Sequence, residues 1–231
     1  MAPVGATALV DGAPPYPVLL DLRGRTCVVV GGGIVAERRV AALLAAGAAV
    51  TVVSPRLTAA LAADALAGRL RHAARGFAPA DLDGATLAFA ATDDGAVNGE
   101  VARAGRARGV WVNAADDPAH CDFLLPAVVR RGPLVVAVGT GGRSPALARA
   151  VREELETVLT EDHATLATLA GEVRAELHGR GLRATAEAWR AALGAEARGL
   201  IAAGRPAEAR ARMLARLLDG AAPAPAGPAV A

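Results

Sequence analysis

The first half of the chain alternates short apolar runs with longer segments rich in alanine, leucine and arginine. Residues 26–30 are a continuous β-branched run that predicts a buried strand, and residues 35–46 predict a helix that stops at Gly47. The same alternation predicts strands at residues 50–54, 70–73, 87–91 and 110–113, and helices at residues 57–66 and 97–108. Alternating strands and helices indicate βαβ units and a parallel sheet covered on both faces.

The pattern changes after residue 113. Two apolar runs, 123–129 and 134–138, are joined by Arg-Arg-Gly-Pro and predict either a β-hairpin or two extended segments that leave the sheet. Beyond Ser144 the sequence predicts helices only, at residues 145–159, 160–179, 184–193 and 206–218. The predicted fold class is therefore α/β, with a Rossmann-type parallel sheet followed by a β region and a small helical domain.

Composition narrows the class of protein. The chain has 231 residues, enough for one or two domains with a buried core. No apolar run reaches the roughly 18 residues that span a bilayer, and the N-terminus lacks the pattern of a signal peptide. We therefore expect a soluble, cytoplasmic protein that binds no membrane. The formal net charge of +2 gives no reason to expect nucleic acid as a partner.

All 25 basic residues are arginines, which excludes lysine chemistry such as Schiff-base formation. The two cysteines, Cys27 and Cys121, are too few for a disulfide framework. His120 and Cys121 are neighbours, but two ligands are fewer than the three or four of a tight metal site. We predict no metal centre.

A glycine-rich turn after the first strand carries the strongest chemical signal. Gly31, Gly33 and Ala36 fit the pattern G-x-G-x-x-A between a predicted strand and a predicted helix. Gly31 would allow a tight turn, Gly33 would let a pyrophosphate approach the backbone, and Ala36 would let the helix pack on the sheet. The motif predicts a dinucleotide site; the alternative is a glycine-rich turn in an unrelated α/β protein.

The loops after the second and fourth strands leave the choice of dinucleotide open. Ser54-Pro55-Arg56 contains no Asp or Glu to bind the ribose of NAD, and Arg56 could instead meet the 2′-phosphate of NADP. Thr92 and Asp93 follow the fourth strand and are predicted to approach the cofactor. Asp94 is as well explained by capping of the next helix.

Two later segments offer groups for a substrate. Asp116 follows the fifth strand near Asn113, where a carboxylate could accept a proton as a hydride leaves the substrate. Asp117 fits a turn before Pro118 better than a catalytic role. A second glycine-rich loop, residues 139–145, offers backbone donors to an anion, and its Arg143 suits a carboxylate.

Taken together and in this order, these segments resemble the dehydrogenase/ferrochelatase module of siroheme synthases. The resemblance is strong over residues 16–159 and weaker in the later helices. The stretches that carry it are Tyr16-Pro17-Val18 through Leu22, Val30-Gly31-Gly32-Gly33, Val35-Ala36-Glu37-Arg38-Arg39, Ala91-Thr92-Asp93, Val112-Asn113, Asp116, Pro118, Cys121-Asp122-Phe123, Pro126-Ala127, Gly141-Gly142, Ser144-Pro145 and Leu147-Ala148-Arg149.

The resemblance implies an NAD-dependent oxidation of the tetrapyrrole precorrin-2 to sirohydrochlorin in siroheme biosynthesis. Many members also insert iron(II), as a second substrate, to give siroheme. Two alternatives stay open: a dehydrogenase that leaves iron insertion to a separate chelatase, and a non-catalytic NAD-binding regulatory module, against which Asp116 argues. The resemblance further implies NAD as the cofactor, a homodimer, and Cys121 as a packing residue.

The residue patterns and the resemblance together predict roles for residues of this sequence. The catalytic residue it implies is Asp116, as proton acceptor. The predicted cofactor-binding residues are Gly31, Gly33, Ile34, Val35, Pro55, Arg56, Thr92 and Asp93. The predicted substrate-binding residues are Asn113, Thr140, Gly141 and Arg143. Some relatives carry a regulatory phosphoserine where this chain has Thr140.

We divide the chain accordingly. The predicted parts are a disordered N-terminus (1–15), an NAD-binding Rossmann domain (16–113), a dimerisation and linking region (114–148), a helical domain (149–219) and a disordered tail (220–231).

Overall fold

A computed structural model of the chain describes residues 14–115 and 117–223. Asp116 and the two ends, residues 1–13 and 224–231, lie outside the described residues, as does most of the predicted disorder. The described chain forms two compact units. The first runs to Leu125 and includes Gly139–Pro145, and the second contains Pro126–Val138 and the chain from Ala146 onward.

The first unit is built on a five-stranded parallel sheet. Its strands are β1 (Thr26–Val30), β2 (Ala49–Val53), β3 (Arg71–Ala73), β4 (Leu87–Ala90) and β5 (Trp111–Ala114), and its helices are α1 (Ile34–Ala45), α2 (Ala59–Leu66) and α3 (Gly95–Arg108). The strands lie in the order β3-β2-β1-β4-β5. The predicted Rossmann-type α/β fold is confirmed.

Strand β1 is apolar throughout because both faces of the sheet are covered. Cys27 and Val29 lie in one core cluster, together with Val40 of α1 and residues of α2. Val28 and Val30 point into a second cluster on the opposite face, which includes residues of α3. Side chains of neighbouring positions in a strand point to opposite faces, so a helix layer on each face buries the whole run.

The carboxyl ends of the strands form one ordered edge. Strands β1 and β4 are neighbours there, although β4 follows β3 in sequence, so the strand order reverses at this point. Main-chain hydrogen bonds continue the sheet one residue past the strands: Gly31 N–H to Val53 O (2.9 Å), Ala91 N–H to Val30 O (2.8 Å) and Ala115 N–H to Ala90 O (2.9 Å). In open α/β sheets, ligands bind in the crevice at such a reversal.

The second unit combines a hairpin with a group of helices. Strands β6 (Ala127–Arg131) and β7 (Leu134–Val138) pair in antiparallel register, which decides for the hairpin among the two predicted alternatives. The remaining elements are α4 (Pro145–Val158), α5 (Glu161–Gly179), β8 (Leu182–Arg183), α6 (Ala186–Ala192), α7 (Ala195–Ala202), α8 (Pro206–Asp219) and β9 (Ala222–Pro223). None of the helices in the described ranges is long and apolar enough to cross a bilayer.

Helix α7 and the short β8–β9 pair were not predicted. The α7 segment begins after Gly194 and contains Gly199, and glycine is a poor helix former. The helix forms because Ala197 and Ile201 are buried in the core of the unit, alongside Val173 of α5 and Met213 of α8. Tertiary packing therefore overrides the weak local preference.

Helices α5 and α8 are also linked by charge. The guanidinium of Arg210 on α8 donates to Glu172 Oε2 at 3.0 Å and to Glu176 Oε2 at 2.8 Å, both on α5. The hydrogen bond from Arg210 lowers the pKa of the Glu176 carboxyl below its usual value. Since these side chains remain partly exposed to solvent, the link contributes less to stability than the apolar core does.

We expect Met213→Ala to destabilise the second unit, because it removes a side chain that is 1% exposed from the centre of its core. The expected loss in free energy of unfolding is about 2–5 kcal/mol. Urea denaturation followed by tryptophan fluorescence measures this loss in a Trp111→Phe background, because the remaining tryptophan, Trp189, lies in the second unit. Arg212→Ala, at an exposed position of the same helix, is the control and should change stability by less than about 0.5 kcal/mol. Equal effects of the two substitutions would contradict the assigned core.

Candidate functional site

In the glycine turn after β1, the main chain lies directly against the main chain of neighbouring loops. Gly31 has φ +121°, a conformation that side-chain-bearing residues rarely adopt, and a Cβ at this position would overlap the carbonyl oxygen of Ala91. Glycine is therefore required at this position, both by the backbone conformation and by the close approach of the loop after β4. This is the tight turn that the motif predicts.

The structure gives Gly32 a role that the sequence reasoning missed. A Cβ on Gly32 would overlap the carbonyl oxygen of Arg56 and lie 2.8 Å from Ser54 Oγ. The dinucleotide motif leaves this middle position free, so the motif alone did not single it out. The run of three consecutive glycines was the only signal in the sequence.

Gly33, unlike Gly31 and Gly32, has free space around its Cα atom. A Cβ there would have no heavy-atom neighbour within 4 Å, and its φ of −87° is open to any residue. The space in front of Gly33, at the N-terminus of α1, is therefore open. Free N–H groups at a helix N-terminus favour an anion, so this space suits the predicted pyrophosphate.

The loop after β2 is fastened to the glycine turn. Ser54 is buried, and its hydroxyl donates to the Arg56 carbonyl at 2.7 Å. The N–H of Thr58 donates to the Gly32 carbonyl at 2.9 Å, and His72 Nε2 lies 2.9 Å from the Ser54 carbonyl. These bonds hold the main chain of Arg56 beside the turn while its side chain, like that of Pro55, is exposed.

Two exposed apolar side chains stand at the start of α1. Ile34 is 57% exposed and Val35 is 40% exposed, directly after the open position at Gly33. Exposed branched side chains beside an open turn form a surface that a bound ligand could cover. Both are among the predicted cofactor contacts.

The loop after β4 is held by a buried amide. Asn98 of α3 accepts a hydrogen bond from the Thr92 hydroxyl at 2.8 Å and donates to the Thr92 carbonyl at 3.0 Å. Asp94 accepts hydrogen bonds from the N–H groups of Ala96 and Val97, at 2.8 and 3.3 Å, so it caps α3. Asp93 between them is exposed. Sequence reasoning missed Asn98, whose signal was an asparagine inside a helix that it does not favour.

The segment after β5 folds back along that strand. The buried side chain of Asn113 donates to the Phe123 carbonyl at 2.9 Å and contacts Cys121 Sγ at 3.5 Å. The Cys121 thiol donates to the Ala114 carbonyl at 3.2 Å, and burial raises its pKa. Cys121 is thus a packing residue with a protonated thiol, and Asn113 shapes this segment from inside.

Next to the predicted catalytic position lies an aspartate–histidine pair. Asp117 Oδ2 is 2.6 Å from His120 Nδ1, across a short 3₁₀ turn that contains Pro118. Asp117 is therefore engaged with its own turn. Asp116, which precedes it, lies outside the described residues, and its catalytic role stays a prediction.

The second glycine-rich loop belongs to the same compact unit as the sheet. The Thr140 hydroxyl accepts from the Ser144 N–H at 3.0 Å and donates to the Ser144 carbonyl at 3.1 Å, which closes the loop. Gly141 has a left-handed backbone with φ +62°. The exposed guanidinium of Arg143 has no hydrogen-bond or ion-pair partner among the described residues, so its charge is available.

Buried polar groups are concentrated at this edge. Within the described chain, the buried residues with polar side chains are Ser54, Asn98 and Asn113. Each bonds the main chain of a loop that follows β2, β4 or β5. The described residues contain no group of three or more His, Cys, Asp or Glu that could hold a metal ion.

Comparison with known proteins agrees with this geometry. Residues 18–127 match the family described as "Putative NAD(P)-binding", and residues 131–157 match the family described as "Sirohaem biosynthesis protein central". The first match covers the sheet and the loops that follow β1, β2, β4 and β5. The predicted nicotinamide dinucleotide cofactor is confirmed.

Several relatives extend the similarity. The chain is 49% identical over 158 residues to the siroheme synthase of Methylobacillus flagellatus, covering 68% of this chain and 34% of that protein. It is 40% identical over 209 residues to the siroheme synthase of Nitrosococcus oceani, covering 90% of this chain and 45% of that protein. The chain thus spans less than half the length of these relatives.

A solved structure matches nearly the whole chain. The structure of SirC, precorrin-2 dehydrogenase, is similar with a TM-score of 0.69 and 29% identity, covering 89% of this chain and 100% of that one. The resemblance predicted from the sequence is confirmed. The chain therefore belongs to the siroheme synthase family.

Proposed function

We propose that the protein oxidises precorrin-2 to sirohydrochlorin with NAD. The observation that carries the proposal is the open, glycine-lined crevice at the strand reversal, in a chain that matches a precorrin-2 dehydrogenase over that protein's full length. In this reaction the substrate loses a hydride to the nicotinamide and a proton to a base. The chain's own residues must bind the dinucleotide, orient the tetrapyrrole and receive the proton.

The dinucleotide would lie along the carboxyl edge of the sheet. The open space at Gly33 and the N-terminus of α1 suit the pyrophosphate, and Ile34 and Val35 offer apolar contact beside it. Pro55 and Arg56 are held beside the turn by the bonds of Ser54 and Thr58, where the adenosine ribose would lie. When bound, NAD supplies the hydride acceptor.

Asp116 is our candidate for the base. The residue before it, Ala115, donates its N–H to the carbonyl of Ala90 at 2.9 Å, which fixes the chain at the carboxyl end of β5. Asp117 is engaged by His120. Sequence order and the resemblance therefore leave Asp116 as the carboxylate that could accept the substrate proton.

The substrate site would draw on the loop of residues 139–145. A tetrapyrrole with many carboxylates needs positive charge, and Arg143 supplies a guanidinium that no described residue pairs with and that suits a carboxylate. Gly141 would offer its backbone N–H. Thr140 and Asn113 are engaged within the protein, so we assign them to positioning these loops rather than to direct contact.

Two further parts of the proposal concern partners. A homodimer would use residues 114–148, which lie between the proposed NAD-binding domain (16–113) and the proposed helical domain (149–219). Iron(II) would be a second substrate, inserted into sirohydrochlorin to give siroheme. The specific support for iron insertion is the similarity over 90% of the chain to a protein named siroheme synthase.

Substitutions in the glycine turn should separate folding from cofactor binding. Gly33→Asp places a carboxylate in open space that we assign to the pyrophosphate, so it should weaken NAD binding at least tenfold without lowering thermal stability. Gly32→Ala should lower stability, because its Cβ would overlap the carbonyl of Arg56. NAD titration and thermal unfolding measure the two effects. Unchanged NAD affinity in Gly33→Asp would remove the proposed site.

Loss of the proposed base should lower turnover without loss of the cofactor. Asp116→Asn keeps the size of the side chain but removes the proton acceptor, and turnover should fall by about 10²–10⁴-fold. NADH formation from precorrin-2 measures turnover, and NAD titration checks the cofactor site. Asp117→Asn is the matched control, with a much smaller effect expected. If Asp117→Asn were the more damaging substitution, the assignment of the base would be wrong.

Iron insertion can be tested apart from oxidation. Under anaerobic conditions, the protein is mixed with sirohydrochlorin and iron(II) in the absence of NAD, and siroheme is followed by absorbance. We expect siroheme to form faster than in the absence of protein. A rate equal to the uncatalysed one would remove the chelatase activity and leave the dehydrogenase proposal intact.

A further inference from the structure

The second unit contains a cavity of about 760 Å³ between α5, β8 and α6. Its apolar walls include Leu177 of α5, Leu182 of β8 and Trp189 of α6. The volume lies within the usual range of small-molecule sites, roughly 300–1,000 Å³. None of the residues that line it belongs to the glycine turn or to the loops at the edge of the sheet.

Two small residues of α5, Ala170 and Gly171, leave space along the face of the helix that lines the cavity. Ala170, Gly171, Arg174, Leu177 and His178 all line it, and this spacing places them on one side of the helix. A Cβ on Gly171 would have no heavy-atom neighbour within 4 Å. A larger side chain at position 171 would therefore project into free space rather than displace the core.

The ionisable side chains that line the cavity are two arginines and a histidine. Arg174 and His178 lie on successive turns of α5, and Arg183 lines the cavity from β8, whereas none of the lining residues is acidic. The guanidinium groups of Arg174 and Arg183 have no hydrogen bond or ion pair with the residues the structure describes. By contrast, Arg180 pairs with Glu176, and Arg210 pairs with Glu172 and Glu176. Arginine side chains left unpaired around an apolar cavity suit a ligand that brings its own carboxylates.

We propose that this cavity binds an aromatic polycarboxylate, and specifically a tetrapyrrole of the kind that the proposed reaction uses. The indole of Trp189 offers a flat apolar surface to the macrocycle. Arg174 and Arg183 approach from two elements and bind peripheral carboxylates. The choice of a tetrapyrrole rests on the proposed function, whereas the preference for an aromatic polycarboxylate rests on the cavity alone.

Binding is measured with uroporphyrin, a stable tetrapyrrole with eight carboxylates. The full chain with Trp111→Phe retains Trp189 as its fluorophore, and quenching of Trp189 on titration gives the affinity. Quenching should weaken as salt rises, because the binding is charge-dependent. Coproporphyrin, with four carboxylates, should bind less tightly.

Matched substitutions locate the site. Gly171→Leu should weaken binding at least tenfold by filling the cavity, whereas Gly199→Leu, also at a helical glycine with free space around it, should leave affinity within twofold. Arg174→Gln and Arg183→Gln should each weaken binding about tenfold. Arg190→Gln removes the same charge from α6 outside the lining and should have little effect. Equal affinities across each matched pair would overturn the proposal.

Other occupants give different results. Pro223 pairs with Leu182, which lines the cavity, so the chain that follows Pro223 is one alternative occupant. In that case truncation after Pro223 would create uroporphyrin binding that the full chain lacks. If a second copy filled it, uroporphyrin would bind more tightly at lower protein concentration. Either result overturns the proposal. Failure of the proposed function is distinct: NADH would not form from precorrin-2, while cavity-dependent quenching would persist.

Discussion

The close approach of main chains at the end of β1 is the constraint on which the rest of the first unit depends. Gly31 touches the loop after β4, and Gly32 touches the loop after β2, at distances that leave no space for a Cβ. A side chain at either position would separate these loops from the turn. The two glycines therefore hold three loops at one edge, and Gly33, which is free of such contact, leaves the opening for a ligand.

Buried polar groups complete this arrangement. Ser54, Asn98 and Asn113 are each buried. Each donates a hydrogen bond to a loop carbonyl that has no partner in the sheet. Removing one would leave a partly buried main-chain group of the loop without its partner, which is costly. The side chains proposed to meet the ligands, such as Arg56 and Arg143, are by contrast exposed. The protein thus separates the residues that shape the site from those that would bind.

Local sequence patterns predicted the sheet because its strands are continuous apolar runs and its turn is a known motif. They could not predict the role of Gly32, since its neighbours come from a loop more than twenty residues away. Asn98 was missed for a different reason: its partner Thr92 is only six residues away, but nothing in the sequence shows that the side chain of a helical asparagine turns back to bond the preceding loop. Helix α7 depends on burial of Ala197 and Ile201, which propensity does not report. The position of Asp116 relative to these groups still rests on sequence order and resemblance.

The main-chain hydrogen bonds that extend the sheet to Gly31, Ala91 and Ala115 have a consequence for how such a protein could change its chemistry. The first residue past each of these strands is fixed by the ladder, whereas the exposed side chains of Pro55, Arg56 and Asp93, in the loops after β2 and β4, take no part in it. New specificities could therefore arise by exchange of those outer residues alone, on a base that keeps its shape. The residues that fix the shape of the sheet edge are thus different from those that would set specificity, and the second group can change while the first stays the same.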